Sequence, residues 1–571
     1  MSEIAPPKGH PKGLYILFAT EMWERFNYYG MRAVLVLFMT KALLFDKAFA
    51  SNLYGSYTSL VYLTPLIGGF VADRFWGNQR SIIAGGLVMA LGEFILFFCG
   101  STYVSSPDLS MLLFFSGLGL MIAGNGFFKP NISSLVGQLY PKGDRRIDPA
   151  YTIFYMGINV GGALGPFVCG LLGDTGDPAD FKWAFLAGGI GMLISVVVQM
   201  AFAKQYIIDP DKKILGQAPA NAPAIWMKPI VMILGLAAFA ALAIGLLYLD
   251  ARVVPYLTYL LIAATLIIGF IIFSDKTINA IEKQQIAVIF IVAFFVIFFW
   301  SAFEQAGASL TFFADEQTNR HIGLDLPTWL VYPIGLAFLG VIYKLIQSAK
   351  TGLSGAGESP LRNTVYVLLF AFAAAIFYGM FTVASGASDR LTMDELPAST
   401  FQSLNSIFVV SFAPVFAWLW LKLGKYEPAA PTKMAIGLFL LSLGYLWIAF
   451  GVKDVQPGIK VSMIWLVGMY ALHTWGELCL SPIGLSLVNK LAPLKFASLL
   501  MAVWFLANAA ANKLAGVLSA LYPDNKTTHF LGYEMTNLYD FFILFVVMSG
   551  VASLILFFLS GRLLKMMHGM K

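Results

Sequence analysis

Four closely spaced charged side chains, all between residues 21 and 32, interrupt an apolar stretch near the start of the chain, which covers about residues 14–44. Read as an α-helix, this stretch places the charges and two tyrosines on one face, because their spacing follows the helical period. The residues of this face are Glu21, Glu24, Arg25, Tyr28, Tyr29 and Arg32. A helix of about 20 residues spans a bilayer, and a charge at that depth costs about 2.5–3.5 kcal/mol unless it is paired or hydrated. The face is therefore predicted to line a polar cavity rather than to contact lipid.

The composition is that of a polytopic membrane protein. Of 571 residues, 58% are hydrophobic and 12% are charged, whereas soluble domains average about 25% charged residues. A soluble buried ion-pair network is therefore a poor explanation of the charged face. Charges that snorkel from a helix end would account for Glu21, but not for Arg25 and Arg32 together. The net charge of +6 is not a nucleic-acid signal in a chain of this composition, so no nucleic-acid partner is expected.

The sequence offers no chemistry typical of an enzyme. Cys99, Cys169 and Cys479 stand in separate apolar runs, without the spacing of a disulfide framework or a metal site. No cleavable signal peptide is expected, because the first apolar run is too long and too charged. The sequence contains no phosphate-binding loop and no nucleophile–base arrangement. We therefore predict that the protein is not an enzyme and holds no cofactor.

About sixteen hydrophobic runs are long enough to be membrane-spanning helices, which predicts an all-α polytopic fold. Alternate loops are rich in lysine and arginine, as expected for loops on the cytoplasmic side. One such loop contains Lys142, Arg145 and Arg146. This asymmetry predicts an even number of spans, with both termini in the cytoplasm.

The charged face also resembles the signature of a known family. The pattern Glu-x-x-Glu-Arg-Phe-x-Tyr-Tyr-Gly over residues 21–30 is similar to the first-helix motif of the proton-dependent oligopeptide transporter family, a branch of the major facilitator superfamily. The loop over residues 73–80 resembles the cytoplasmic loop motif of that superfamily. Other family motifs are matched by the segments that contain Lys129, Tyr155, Asn159, Glu304, Asn405 and Glu477.

The resemblance implies a major facilitator fold, with two six-helix bundles and extra helix pairs, or about 14–16 transmembrane helices in all. It places the N-terminal bundle at residues 1–206 and a linker with two extra helices at 207–284. The C-terminal bundle would occupy 285–565, interrupted by a further helix pair at about 327–385, and 566–571 would be a cytoplasmic tail. The pair at 327–385 departs from the family pattern, and could be two more spans or a hairpin against the core.

The resemblance also implies a set of site residues. The substrate-binding residues would be Tyr29, Arg32, Tyr62, Lys129, Tyr155, Asn159, Trp300, Asn405, Glu477, Ser481 and Trp504. The proton-coupling residues would be Glu21, Glu24, Arg25 and Glu304. Three cations of this set face four carboxylates, so one added proton would balance the charge, and a zwitterionic peptide would leave that balance unchanged.

The implied function is proton-coupled import of di- and tripeptides by alternating access, with the peptide termini held by opposite charges. Protons would be the coupling ion, and the protein would act as a monomer, embedded in the lipid bilayer of a bacterial inner membrane. The main alternative is a major facilitator symporter or exporter of another small solute, such as nitrate, a sugar or a drug. A membrane-embedded enzyme and a channel are also considered, but the sequence shows neither a catalytic cluster nor a ring-lined pore.

Four further residues lie in apolar runs outside these motifs. Glu93 is predicted to form a helix–helix hydrogen bond, and His473 to pack or hydrogen-bond rather than to carry protons. For Lys513, snorkelling toward the membrane surface and an inward role remain equally open. Gly55 stands where animal relatives carry a functional histidine, so carboxylates are expected to carry the proton.

Overall fold

A computed structural model describes residues 9–141, 143–252, 255–352, 360–385, 390–456, 458–524 and 526–569. Lys142 of the predicted basic loop lies outside the described residues, as do the chain ends 1–8 and 570–571.

The chain is almost entirely helical, and its helices form two groups with two additional hairpins. The first helix group consists of α1 (Lys12–Leu37), α2 (Lys47–Leu63), α3 (Pro65–Val71), α4 (Asn78–Thr102), α5 (Pro107–Gln138), α6 (Ile147–Gly173) and α7 (Phe181–Tyr206). The first hairpin consists of α8 (Pro229–Arg252) and α9 (Tyr256–Phe273). The second helix group starts with α10 (Ala280–Phe303) and α11 (Ser309–Glu316).

The second hairpin interrupts the second helix group. This hairpin consists of α12 (Thr328–Gly352) and α13 (Pro360–Ser385). The second group then continues with α14 (Ser403–Leu423), α15 (Ala430–Val452), α16 (Met463–Leu491), α17 (Ala497–Ser519) and α18 (Leu538–Met566). Short strands join the loops, and they are β1 (Thr318–Asn319), β2 (His321–Pro327), β3 (Arg390–Glu395), β4 (Val461–Ser462), β5 (Thr528–Phe530) and β6 (Tyr533–Met535). Strands β1 and β4 pair in parallel, while β2–β3 and β5–β6 are antiparallel pairs.

Within the described residues, 13 helices are long and apolar enough to cross a membrane, among them α12 and α13. The charge-bearing α1 is not one of them, because its charges fall within its apolar stretch. Two of the hydrophobic runs, at about residues 51–75 and 285–313, each form two helices. The run from 51 to 75 is divided before Pro65, which begins α3. The run from 285 to 313 is divided by a short 3-10 turn, Glu304–Gly307, between α10 and α11.

Each helix group has its own packing core. In the first, α1 packs against α6 and α7, and α4 packs against α5 and α7. In the second, α15 packs against α16 and α18, and α10 packs against α17 and α18. The two groups meet where α2 contacts α17 and where α6 contacts α14. In the first hairpin, α8 lies on α5 and α2 while α9 lies on α17, and in the second hairpin α13 lies on α7.

Two opposite faces of the helix bundle can be recognised from the loops that meet there. We call the face where α1 begins the near face, since His10 Nδ1 lies 2.8 Å from the Tyr140 hydroxyl there. The opposite face, where α1 ends, is the far face. At the far face Lys41 pairs with Asp315 at 2.8 Å and Lys47 pairs with Glu316 at 2.7 Å. Both far-face pairs join the first helix group to the second.

Helix α1 is fixed against α6 by glycines that let the two backbones touch. A Cβ added to Gly161 would lie 2.1 Å from the Met22 carbonyl oxygen, and one added to Gly165 would lie 2.5 Å from the Phe26 carbonyl oxygen. No side chain fits at such distances without a shift of the backbone. This close packing sets the position of the charged face that α1 carries.

Substitution Gly161→Ala is therefore expected to destabilise the protein. The added methyl group must separate α1 from α6, so we expect the melting temperature of the purified protein to fall by at least about 2 °C. Gly245→Ala in α8 is the matched control, since a Cβ there meets nothing within 4 Å. Thermal unfolding followed by intrinsic fluorescence measures both, and equal melting temperatures would contradict the packing argument.

Candidate functional site

The charged face of α1 is buried and forms a compact ion-pair cluster. Arg25 Nε lies 2.5 Å from Glu24 Oε2 and 3.2 Å from Glu21 Oε1. The Asn125 amide of α5 donates to the other oxygen of Glu24 at 3.2 Å. Glu21, Glu24 and Arg25 are each at most 2% exposed. Charges so far from solvent are stable only when they are paired, and here two carboxylates share one guanidinium group.

A second buried pair joins the two helix groups near the end of the same face. Arg32 Nη2 of α1 lies 3.0 Å from Glu304 Oε2, which is on the short turn between α10 and α11. The carboxylate oxygen forms no hydrogen bond with the described residues, so the contact is an ion pair without hydrogen-bond geometry. The Nε of Arg32 is also buried without a hydrogen-bond partner in the described chain. Arg32 therefore keeps donor capacity that Glu304 does not use.

Lys129 of α5 stands apart from these pairs. Its ammonium nitrogen lies 4.8 Å from the centre of the Tyr62 ring, a cation–π contact. It is within electrostatic range of Glu21, Glu24 and Arg25, but no carboxylate of the described residues forms an ion pair with it. Its side chain is partly exposed.

Glu477 of α16 is a buried carboxylate that the second helix group contributes to the predicted site. The Asn405 amide of α14 donates to Glu477 Oε2 at 2.8 Å and also contacts the Thr474 hydroxyl at 3.2 Å. The Tyr155 hydroxyl of α6 donates to Glu477 Oε1 at 3.5 Å. Among the residues that the structure describes, no basic side chain pairs with Glu477, which is 8% exposed.

The predicted aromatic residues divide into two kinds. The Tyr29 ring lies between two guanidinium groups, 5.9 Å from that of Arg25 and 5.4 Å from that of Arg32. Tyr62 and Tyr155 contact Lys129 and Glu477, as described above. Trp300 packs edge-on against Phe303 at 5.1 Å, and Trp504 is 4% exposed and packs against Gly484. The three tyrosines thus contact the charges, while the two tryptophans pack against their own helix group.

The two remaining residues of the predicted site are the polar residues Asn159 and Ser481. The Asn159 amide donates to the Tyr155 carbonyl oxygen of its own helix at 2.9 Å, which leaves its side-chain oxygen to accept a hydrogen bond. The Ser481 hydroxyl is buried and has no hydrogen-bond partner among the described residues. Both residues lie on helices that carry site residues, α6 and α16.

Outside the site, the structure confirms the prediction for Glu93 and decides between the two alternatives for Lys513. Glu93 of α4 accepts a hydrogen bond from the Asn27 amide of α1 at 2.9 Å, the predicted helix–helix contact. Lys513 does not snorkel outward, because its ammonium nitrogen lies 2.5 Å from Asp250 Oδ2 inside the protein. His473 is buried against the Tyr445 ring, with 4.7 Å between the ring centres.

Asp250 is the buried residue that the sequence analysis missed. It stands at the end of the apolar run that forms α8, where a carboxylate is easily taken for a loop residue at the membrane surface. Its partner Lys513 is 263 positions away. The signal in the sequence was a single acid and a single lysine in two apolar runs, and nothing in the spacing connects them.

Comparison with known proteins places the whole chain among transporters. The POT family model matches residues 79–348 and 365–536. The chain is 33% identical over 536 residues to the uncharacterized transporter YclF of Bacillus subtilis, covering 92% of this chain and 90% of that protein. It is 31% identical to the peptide transporter YePEPT of Yersinia enterocolitica, over 89% of this chain and 88% of that protein. It is 29% identical to a di-/tripeptide transporter of Lactococcus lactis, over 91% of this chain and 92% of that protein.

Solved structures agree with this assignment. A peptide transporter POT in complex with sulfate aligns with a TM-score of 0.72 at 29% identity, covering 99% of this chain and 97% of that one. A POT family transporter in complex with a thioalcohol-conjugated peptide aligns with a TM-score of 0.72 at 26% identity, covering 97% of both chains. The relatives are transporters, not enzymes, and their fold is that of the major facilitator type.

Proposed function

Because this chain belongs to the POT family of peptide transporters, we propose that it is a proton-coupled symporter that imports di- and tripeptides by alternating access. The observation that carries the proposal is a pair of opposite charges on the two helix groups. Lys129 of the first group and Glu477 of the second each lack an ion-pair partner among the described residues. A short peptide always has one carboxylate and one ammonium group, so it supplies the two missing partners.

The peptide termini would be held at fixed points while its side chains remain loosely held. Lys129, with Arg32 when that residue is free, would bind the carboxylate, and Glu477 would bind the ammonium group. The Asn405 amide and the Tyr155 hydroxyl, which already contact Glu477, would orient its carboxylate. Such a site recognises what all short peptides share, and thus accepts many sequences.

Proton coupling would act through the buried ion pairs of α1. Protonation of Glu304 would release Arg32, whose unused donor can then bind the peptide carboxylate. The cluster of Glu21, Glu24 and Arg25 can act in the same way, since a proton on either carboxylate would weaken its hold on the guanidinium group. We propose that one of these two sites takes up the proton that balances the charge of the loaded cavity.

Alternating access is supported by where the helix groups touch. The Lys41–Asp315 and Lys47–Glu316 pairs close the far face. At the start of α14, the Ser403 hydroxyl donates to the Ala163 carbonyl oxygen of α6 at 2.7 Å. These contacts describe a state in which the far side of the central site is shut. The basic loops predict that the near face is cytoplasmic, so these contacts would close the outer side of the transporter.

The protein is a multi-pass membrane protein. We further propose a bacterial inner membrane as its location, with both termini cytoplasmic and the monomer as the functional unit. No cofactor is required by this mechanism, since protons are the coupling ion.

Transport of a labelled dipeptide by the purified protein in liposomes tests the proposal. With acid outside and neutral buffer inside, labelled dialanine should accumulate at least about fivefold above equilibrium, because each peptide enters with at least one proton. A protonophore should abolish this accumulation, and unlabelled dipeptides should compete while nitrate and glucose should not. Uptake that ignores the pH gradient, or competition by nitrate or glucose alone, would contradict the proposal.

A further inference from the structure

Three helices contribute to a buried polar cluster away from the central site. Asp250 of α8 and Lys513 of α17 form an ion pair of 2.5 Å. The Ser56 hydroxyl of α2 donates to Asp250 Oδ2 at 2.5 Å and accepts from Lys513 Nζ at 2.8 Å. Asp250 and Lys513 are each 5% exposed, and Ser56 is 1% exposed. We call these three residues the Asp250 cluster.

The cluster connects both helix groups to the first hairpin. Ser56 belongs to the first group, Lys513 to the second, and Asp250 to the hairpin itself. The second oxygen of Asp250 accepts a hydrogen bond of 2.8 Å from the backbone N–H of Leu257, at the start of α9. Since α8 lies on α2 and α5 while α9 lies on α17, the hairpin straddles the line where the groups meet.

The boundary between the two helix groups is closely packed around the Asp250 cluster. A Cβ added to Gly55 of α2 would lie 2.7 Å from Gly516 Cα of α17. One turn further toward the far face, the Ser519 hydroxyl donates to the Ser51 hydroxyl at 3.2 Å. Small residues therefore let α2 and α17 touch, and we call this contact the α2–α17 seam. Any opening of the far face between α2 and α17 separates Ser56 from Lys513.

We propose that Asp250 and Lys513 are positioning residues of the transport cycle, whose ion pair ties the α8–α9 hairpin across the α2–α17 seam and keeps the far face shut. The physical reason is the cost of a lone buried charge. While the seam is closed, each charge depends on the other, because neither has access to water. Once the seam opens, water can hydrate Lys513, so loss of Asp250 destabilises the closed state more than the open one. This inference rests on the alternating-access part of the proposed function.

Thiol labelling at Ser51 measures the opening directly. Ser51 is 0% exposed while the seam is closed, so a cysteine at this position reacts with a maleimide only during opening. Ser51→Cys is introduced into a background in which Cys99, Cys169 and Cys479 are replaced by alanine, and labelling is followed on the purified protein in detergent. Asp250→Asn and Lys513→Met should each raise the labelling rate about tenfold.

Three further variants distinguish an ion pair that holds the seam closed from one that only stabilises the fold. The double variant Asp250→Asn/Lys513→Met leaves no lone charge but still lacks the ion pair, so its labelling rate should lie about threefold above the parent rate and below the rate of either single variant. Asp250→Glu keeps the charge but misplaces it, and it should give an intermediate rate. Glu93→Gln removes an equally buried carboxylate away from the seam and should leave the rate unchanged.

A labelling rate equal to that of the parent in Asp250→Asn or Lys513→Met would overturn the inference. If neither single variant folds, Asp250→Glu decides in their place, and the parent rate there would overturn it equally. Dialanine uptake is measured alongside in the parent. Uptake without pH dependence would count against proton coupling alone. A labelling rate that is unchanged in the variants would count only against the role of the Asp250–Lys513 ion pair at the seam.

Discussion

Substitution Glu24→Gln is expected to abolish proton-driven accumulation of dialanine while exchange of labelled for unlabelled peptide continues. Glutamine has the size of a protonated glutamate but cannot ionise, so the cluster with Arg25 can no longer take up and release a proton. We expect accumulation in the imposed pH gradient to fall at least about tenfold. Counterflow at equal pH should persist, because peptide exchange does not require net proton movement.

Glu93→Gln is the matched control for this experiment. Glu93 and Glu24 are both 0% exposed, but Glu93 accepts from the Asn27 amide whereas Glu24 holds the Arg25 guanidinium group. Loss of a buried carboxylate as such should therefore affect both variants, and loss of proton coupling should affect Glu24→Gln alone. Full accumulation by Glu24→Gln would exclude Glu24 as the proton site and leave Glu21 and Glu304 as the candidates.

Substitution Lys129→Ala is expected to lower dialanine uptake at least about tenfold, equivalent to about 1.4 kcal/mol of lost binding. The reason is that the peptide carboxylate would lose its proposed partner, an ammonium group that has no ion-pair partner among the described residues. Both accumulation and counterflow should fall, since the defect lies in binding rather than in coupling. Lys129→Arg keeps the charge and should restore part of the uptake.

Lys422→Ala provides a lysine of similar local geometry outside the site. Its ammonium nitrogen lies 4.7 Å from the Trp418 ring centre, compared with 4.8 Å between Lys129 and the Tyr62 ring. Lys422 is exposed near the end of α14, so its removal should leave uptake unchanged. Wild-type accumulation by Lys129→Ala would contradict the proposed binding of the peptide carboxylate.

The sequence predicted those parts of the site that lie on one helix or in a recognisable motif. The helical period alone placed Glu21, Glu24 and Arg25 on one face, and the structure confirms that they form one cluster. Arg32 and Glu304 entered the predicted site through the family resemblance, and the structure places them 3.0 Å apart as an ion pair. Roles in binding and proton transfer stay predictions, because they concern a ligand and a proton.

What could not be predicted depends on contacts between distant segments. Asp250 and Lys513 each appear in the sequence as one charge in an apolar run, and only the packing of α8 and α9 across α2 and α17 brings them together. The burial of Trp504 was also unpredictable. Trp504 occupies a family motif position, but the absence of a side chain at Gly484 allows it to pack within its own helix group.

The glycine contacts between α1 and α6 restrict how the protein can move. With the backbones in contact at Gly161 and Gly165, neither helix can slide along or rotate against the other without a clash. The cations of α1 and Tyr155 of α6 must therefore travel as one rigid unit. If a peptide is bound, this unit would move relative to Glu477. Exposure of the peptide to the opposite compartment would then require the contacts between the helix groups to break and re-form.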